Sequence, residues 1–173
     1  DEELAVKILR RACEADPANL EMTLQLAEAV LNYGQIQEAQ RLYRKVGSNY
    51  LENNDLEKAA ETFRRLTVFA PPDTGLFMIL GDLNANLGRY PEAEASYRGI
   101  LKQDINHVEA LLGLARISQF KGQHRDCILA LNRVLSVAPD DVRALEKLGE
   151  VNRLQGLTQD SVKYYLMAGL ASL

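Results

Sequence analysis

Tryptophan is absent from this 173-residue chain, and cysteine occurs only twice. Cys13 and Cys127 have no Cys or His neighbour at metal-ligand spacing, so they make neither a disulfide framework nor a zinc site. The redox compartment is left open, leaning towards a reducing, cytoplasmic one. Positive charge is not in excess. Twenty Lys and Arg stand against twenty-four Asp and Glu, a net charge of −4 with a pI near 5.3, which removes the electrostatic footprint of a phosphate-backbone binder. No nucleic-acid partner is expected. No uninterrupted apolar run approaches the roughly 18 residues of a membrane span, so membrane insertion is not expected either. The opening Asp1-Glu2-Glu3 has the wrong charge for a signal peptide. The first residue is not Met, which suggests an excerpt or a processed product of a longer chain.

Catalytic signatures are lacking too. The sequence contains no Gly-rich phosphate loop after a strand, no H-E-x-x-H and no nucleophile elbow. His107 falls in a turn and His124 at a helix start, neither with a partner on the same face, so both read as structural. Buried or half-buried inert thiols are the reading for the two cysteines. Neither a cofactor nor enzymatic activity is expected.

What the chain does contain is a repeat. GQIQEA from Gly34, NDLEKA from Asn54, GRYPEA from Gly88, GQHRDC from Gly122 and GLTQDS from Gly156 start 20, 34, 34 and 34 residues apart. Four residues after each small position stands a large apolar one (Tyr43, Phe63, Tyr97, Leu131, Tyr165). Three further on comes a smaller one (Val46, Leu66, Ile100, Val134, Ala168). This is the spacing of one helix face. Before each turn the pattern is again helical, as in Leu111, Leu114, Ala115 and Ser118, so each period is two amphipathic helices. Gly88, Gly122 and Gly156 sit where a helix stops and the backbone turns left-handed. Pro91 reads as the first residue of the next helix. Pro71 and Pro139 close second helices, and Asp73, Asn106 and Asp141 are placed to cap the ones that follow. No segment alternates like a strand, so the expected class is all-α, with about ten helices.

These residues resemble the tetratricopeptide repeat family, whose 34-residue unit pairs a helix A with a helix B and ends in Pro. The resemblance implies an α-solenoid. It divides the chain into a half repeat plus helix A (1–34), an irregular merged repeat (35–73), units 74–107 and 108–141, and a last unit 142–173 that stops two residues short. Residues 1–19 read as a lone helix B carrying Ala5, Leu9, Ala12 and Pro17. All segments are expected to form one continuous array.

The 20-residue interval between Gly34 and Asn54 is one helix and loop short of a unit. Ala39, Tyr43 and Val46 satisfy helix B positions of one unit, while Tyr43, Val46, Gly47 and Tyr50 satisfy helix A positions of the next. One continuous helix from about Gln35 to Asn53 would serve both roles. A break at Gly47-Ser48 into two short helices is the alternative.

Stacked helix pairs generate a concave surface lined by helix A. From the family's groove positions (second, fifth, ninth, twelfth and thirteenth in each unit), the resemblance places a partner-binding surface on Arg41, Arg44, Met78, Asp82, Asn86, Leu112, Arg116, Gln119, Phe120, Glu146 and Arg153. Solvated helix faces account for each charge singly, but less well for an exposed Phe120 or Met78. The carboxylate clamp of chaperone-binding members is not matched: its first two slots read Arg44 with Ser48, Met78 with Asp82, Leu112 with Arg116 and Glu146 with Glu150. The expected function is a protein interaction scaffold holding a peptide or helical segment of another protein. The alternative is a linking module that self-associates through exposed ends within a larger assembly.

Overall fold

The computed structural model of the protein describes residues 2–70 and 73–172. The ten helices that the repeat predicts are present among them: α1 (Glu2–Ala15), α2 (Leu20–Asn32), α3 (Ile36–Glu52), α4 (Leu56–Phe69), α5 (Thr74–Asn86), α6 (Tyr90–Gln103), α7 (Val108–Phe120), α8 (His124–Val137), α9 (Val142–Leu154) and α10 (Thr158–Ala171).

Two kinds of turn alternate along most of the chain. In the first kind, one residue adopts a positive φ: Gly34, Gly88, Gly122 and Gly156 near +70°, and Asn54 at 57°. The amide after it reaches back five residues, as in Gln35 to Val30 (2.9 Å), Asp55 to Tyr50 (2.8 Å) and Leu157 to Asn152 (2.9 Å), satisfying a carbonyl left over by the helix end. In the second kind, the residue before the helix caps it with its side chain, from an extended backbone at Asn19 and Asp141. Asn19 accepts from the Met22 amide at 3.0 Å, Asp73 from Leu76 at 2.6 Å and Asp141 from Ala144 at 3.0 Å.

α3 is flanked by the first kind at both ends. It runs unbroken through Gly47-Ser48, about 25 Å at 1.5 Å per residue. Of the two readings of this segment, the single merged helix is the one observed. Ala39, Tyr43, Val46, Gly47 and Tyr50 are all buried along it. The reason that Gly47 does not break the helix is tertiary. Phe63 lies so close that a Cβ on Gly47 would stand 2.6 Å from the ring. Packing of the ring offsets the 0.5–1 kcal/mol or so by which glycine disfavours a helix interior.

Two compact units divide the chain, Asp1–Leu83 and Asn84–Leu173. In the first, α1 packs on α2, α2 on α3 and α3 on α4; in the second, α6, α7, α8, α9 and α10 pack each on the next. The positions that the repeat marks as core are core. Ala39, Ala59, Ala93, Cys127 and Ser161 are buried, as are Val46, Leu66, Ile100, Val134 and Ala168. Of the five large positions, only Tyr165 stays substantially exposed, at 41%. Burial pushes the Cys127 thiol up to about 11, since an apolar site disfavours the thiolate.

Three local expectations need correction. The cap of α7 is His107, not Asn106. Its Nδ1 accepts from the Ala110 amide at 3.3 Å, while the Asn106 amide donates to the Asp104 carboxylate. Asp73, His107 and Asp141 are spaced by 34, so His107 holds the equivalent slot. Pro91 is the second residue of α6, after Tyr90; both positions lie in the first turn, where no amide is needed. In α1, Ala5 is exposed and Val6 is buried instead, with Leu9 and Cys13 beside it against Leu26 and Val30. α1 therefore does not use the helix B register assigned to it. Pro71 lies outside the described residues.

Candidate functional site

In the second unit, α7 carries Leu112, Arg116, Gln119 and Phe120, whose spacing puts them on one helix face. Leu112 is half-buried against the core around Leu111 and Leu131. One turn on, Arg116 donates from Nη2 to the Tyr97 hydroxyl at 3.0 Å. That bond ties it to α6, whose Tyr97 ring in turn lies so close to Gly113 that a Cβ there would stand 2.5 Å from Cζ. Gln119 is half-buried. Phe120 ends the row 64% exposed, stacked on Tyr90 with ring centroids 5.9 Å apart and planes 11° from parallel. Beside this pair, Lys121 meets Glu94 at 3.3 Å.

α9 lies next to α7. Arg143 Nη1 and Glu109 Oε1, both at the second position of their units, pair at 2.9 Å across the two helix A segments. Arg143 also holds Asp141, the cap of its own helix, at 2.8 Å. Burial opposes ionisation of Asp141, but the Arg143 and Ala144 hydrogen bonds outweigh it and its pKa is lowered. Glu146 and Arg153 are exposed on α9, and Asn86 is exposed at the end of α5.

In the first unit, Arg44 on α3 reaches Asp73 at the start of α5, Nη2 to Oδ2, at 2.6 Å. The Leu76 amide, helped by Arg44, holds the Asp73 carboxyl below its ordinary pKa despite partial burial. Met78 and Asp82, one turn apart on α5, are half-buried, and Arg41 is exposed. The neighbouring Arg64 and Arg65 on α4 are internally compensated. Arg64 binds Glu61 through Nε (3.0 Å) and Nη2, and Arg65 binds Glu28 and Glu61.

The expected residues thus fall into a set on α3 and α5 in the first unit and a larger set on α7 and α9, with Asn86, in the second. These surfaces offer aromatic and aliphatic contact beside guanidinium, carboxamide and carboxylate groups. Among the described residues, no group of three or more His, Cys, Asp and Glu side chains could hold a metal, and no helix is long and apolar enough to cross a membrane.

Comparison with known proteins follows the same repeat. Models of the tetratricopeptide repeat match residues 44–108 and 86–149. The chain belongs to the tetratricopeptide repeat family. That family is one of interaction scaffolds, generally non-catalytic, so the chain is a protein-interaction module. It is 23% identical over 176 residues to human protein O-mannosyl-transferase TMTC1, covering 91% of this chain and 20% of that protein. Among solved structures, it is similar to MamA 41-end from Desulfovibrio magneticus RS-1, with a TM-score of 0.74 at 12% identity over 99% of this chain and 96% of that one. YrrB, described as a TPR protein with an unusual peptide-binding site, gives a TM-score of 0.67 at 14% identity, covering 94% of this chain and 91% of that one. At these identities the structural likeness shows the fold.

One feature lies outside the expected residues: a cleft of about 290 Å³ between α2 and α4. The signal that leads to it is the repeat frame carried back to Leu20, which sets Glu21, Leu24 and Glu28 at second, fifth and ninth positions.

Proposed function

We propose that the α7–α9 surface of the second unit binds a peptide or helical segment of a partner protein. Phe120 and Leu112 serve as apolar anchors, and Arg116, Gln119, Asn86, Glu146 and Arg153 as polar contacts. The observation that carries this reading is the Phe120–Tyr90 stack, a large aromatic surface left in solvent beside polar groups, which is the composition enriched at interaction hot spots. Arg41, Arg44, Met78 and Asp82 form a corresponding surface on the first unit, where the Arg44–Asp73 pair opens to admit a carboxylate. YrrB, similar in fold, is described by its peptide-binding site, which supports a peptide as the ligand class. Neither cofactor nor catalysis is part of this function. Affinity capture with the native chain beside an Arg116→Glu, Phe120→Ala double variant tests it. Loss of the captured proteins in the variant is expected, and equal recovery by both rejects the surface.

A second reading has one observation in its favour. Leu166 and Leu170 on α10 are 64% and 72% exposed, and Leu4 and Ile8 on α1 are exposed as well, apolar faces of the kind that mark association sites. Self-association through them predicts a scattering mass that rises with concentration and falls to the monomer value in Leu170→Glu. A constant monomer mass rejects it.

A further inference from the structure

α2 and α4 both form hairpins with α3 and lie side by side, bridged by Arg65 Nη1 and Glu28 Oε1 at 2.5 Å. This adjacency follows from the merged helix. By its residues α2 is a helix A, burying Thr23, Leu26, Ala27 and Val30, whereas α4 is a helix B, burying Ala59, Phe63 and Leu66. Dropping one helix from the alternation has set them in a row. The outward face of α2 therefore stands across the cleft from Lys58, Thr62 and Arg65, which share a face of α4 at the i, i+4, i+7 spacing. Leu24 and Tyr50 supply the apolar lining.

The polar groups of the two walls differ in what they have left to offer. On α4, Lys58 is held by Asp55 at 3.1 Å and sits 5.5 Å from the Tyr50 ring centroid. Arg65 is held between Glu28 and Glu61. On α2, Glu21 is exposed and makes no hydrogen bond or ion pair with any described residue, and the same holds for the Gln25 amide. The groups left without a hydrogen-bond partner are thus a carboxylate and an amide above an apolar lining, the Glu21 charge being felt also by Lys58 across the cleft. Charge on the larger scale has the same sign. Residues 1–83 hold nine Lys and Arg against fourteen Asp and Glu, a net of −5, while residues 84–173 hold eleven against ten, a net of +1. Such a field raises the local concentration of cationic ligands.

We propose that the α2–α4 cleft, where the helix A positions of α2 face a helix B, is a second docking site, separate from the α3–α5 and α7–α9 surfaces, for a polypeptide segment carrying Lys or Arg next to an apolar side chain. The apolar side chain seats on Leu24 and Tyr50, and the cation is received by Glu21. The cleft volume is near the lower end of ligand-sized cavities. It takes one or two side chains while the remainder of the segment follows the rims.

The test uses the whole chain, labelled with ¹⁵N, and two blocked peptides, Ser-Leu-Lys-Ser-Leu-Lys-Ser and its counterpart with Glu in place of Lys. The basic peptide should shift the amide signals of Glu21, Leu24, Gln25 and Tyr50. Its Kd should rise about tenfold in Glu21→Lys, the size expected when a charge contact becomes a repulsion. Glu21 is exposed, so this variant folds, and Leu24→Ser should weaken binding through the lining alone. The Arg116→Glu, Phe120→Ala variant should bind the basic peptide as the native chain does, which keeps this site distinguishable from the α7–α9 surface. Equal binding of the acidic peptide, unaltered affinity in Glu21→Lys, shifts confined to α7 and α9, or no shifts at millimolar peptide would each overturn the proposal.

Discussion

Gly47 lies against the ring of Phe63: a Cβ placed on it would come within 2.6 Å of Cζ and 2.8 Å of Cε2. Alanine at 47 gains up to about 1 kcal/mol of helix propensity, but the ring must shift in a core where Phe63 is 1% exposed. Overpacking of this kind costs roughly 1–3 kcal/mol. Gly47→Ala is therefore expected to be net destabilising in urea unfolding. In a Phe63→Leu background the same change should be neutral or stabilising, because the obstructing atoms are gone.

Asn54 holds a left-handed backbone at φ 57°, where the equivalent turns use glycine. Asparagine tolerates this region better than other residues with a Cβ. Asn54→Gly should alter stability by no more than a few tenths of a kcal/mol, while Asn54→Ala should lower it by about 1 kcal/mol. Thermal unfolding of the two variants checks the order.

Asp73 caps α5 and pairs with Arg44, and its carboxyl titrates below the ordinary value of 3.8. A depressed folded-state pKa means stability that is fully present above the unfolded pKa and is lost as pH falls through the folded one. The loss of stability in Asp73→Ala should then be about 1 kcal/mol at pH 7, as for a removed cap. It should shrink as pH is lowered through and below 3.8, as seen in urea titrations at several pH values.

Cys127 is fully buried with its thiol raised to about 11, and Cys13 is partly exposed. An aromatic disulfide reagent at pH 8 should label Cys13 in the native chain, with Cys127 reacting only on unfolding. Two thiols reacting at one fast rate would contradict the burial of Cys127.

Much of this architecture was legible in the chain because it depends on local, periodic information. The 34-residue spacing of Ala59, Ala93, Cys127 and Ser161 marks where helices cross, and the glycine turns mark where they end. Even the overlap of two repeat frames was visible, since Tyr43 and Val46 fit both at once. The cap at His107 was there to be read as well, 34 residues after Asp73.

The choice between a broken and a continuous α3 was not legible, because glycine weakens a helix locally and only the Phe63 ring, sixteen residues away, restores it. Likewise, the sequence determined which side chains on α7 share a face, but tertiary packing decided that Arg116 is tied to Tyr97 while Phe120 rests on Tyr90 in solvent. The neighbourhood of Glu21 and Lys58 depends on α3 forming hairpins with both α2 and α4. Pairing across a fold brings together residues that no single helical period relates, so that cleft belongs to the three-dimensional structure alone.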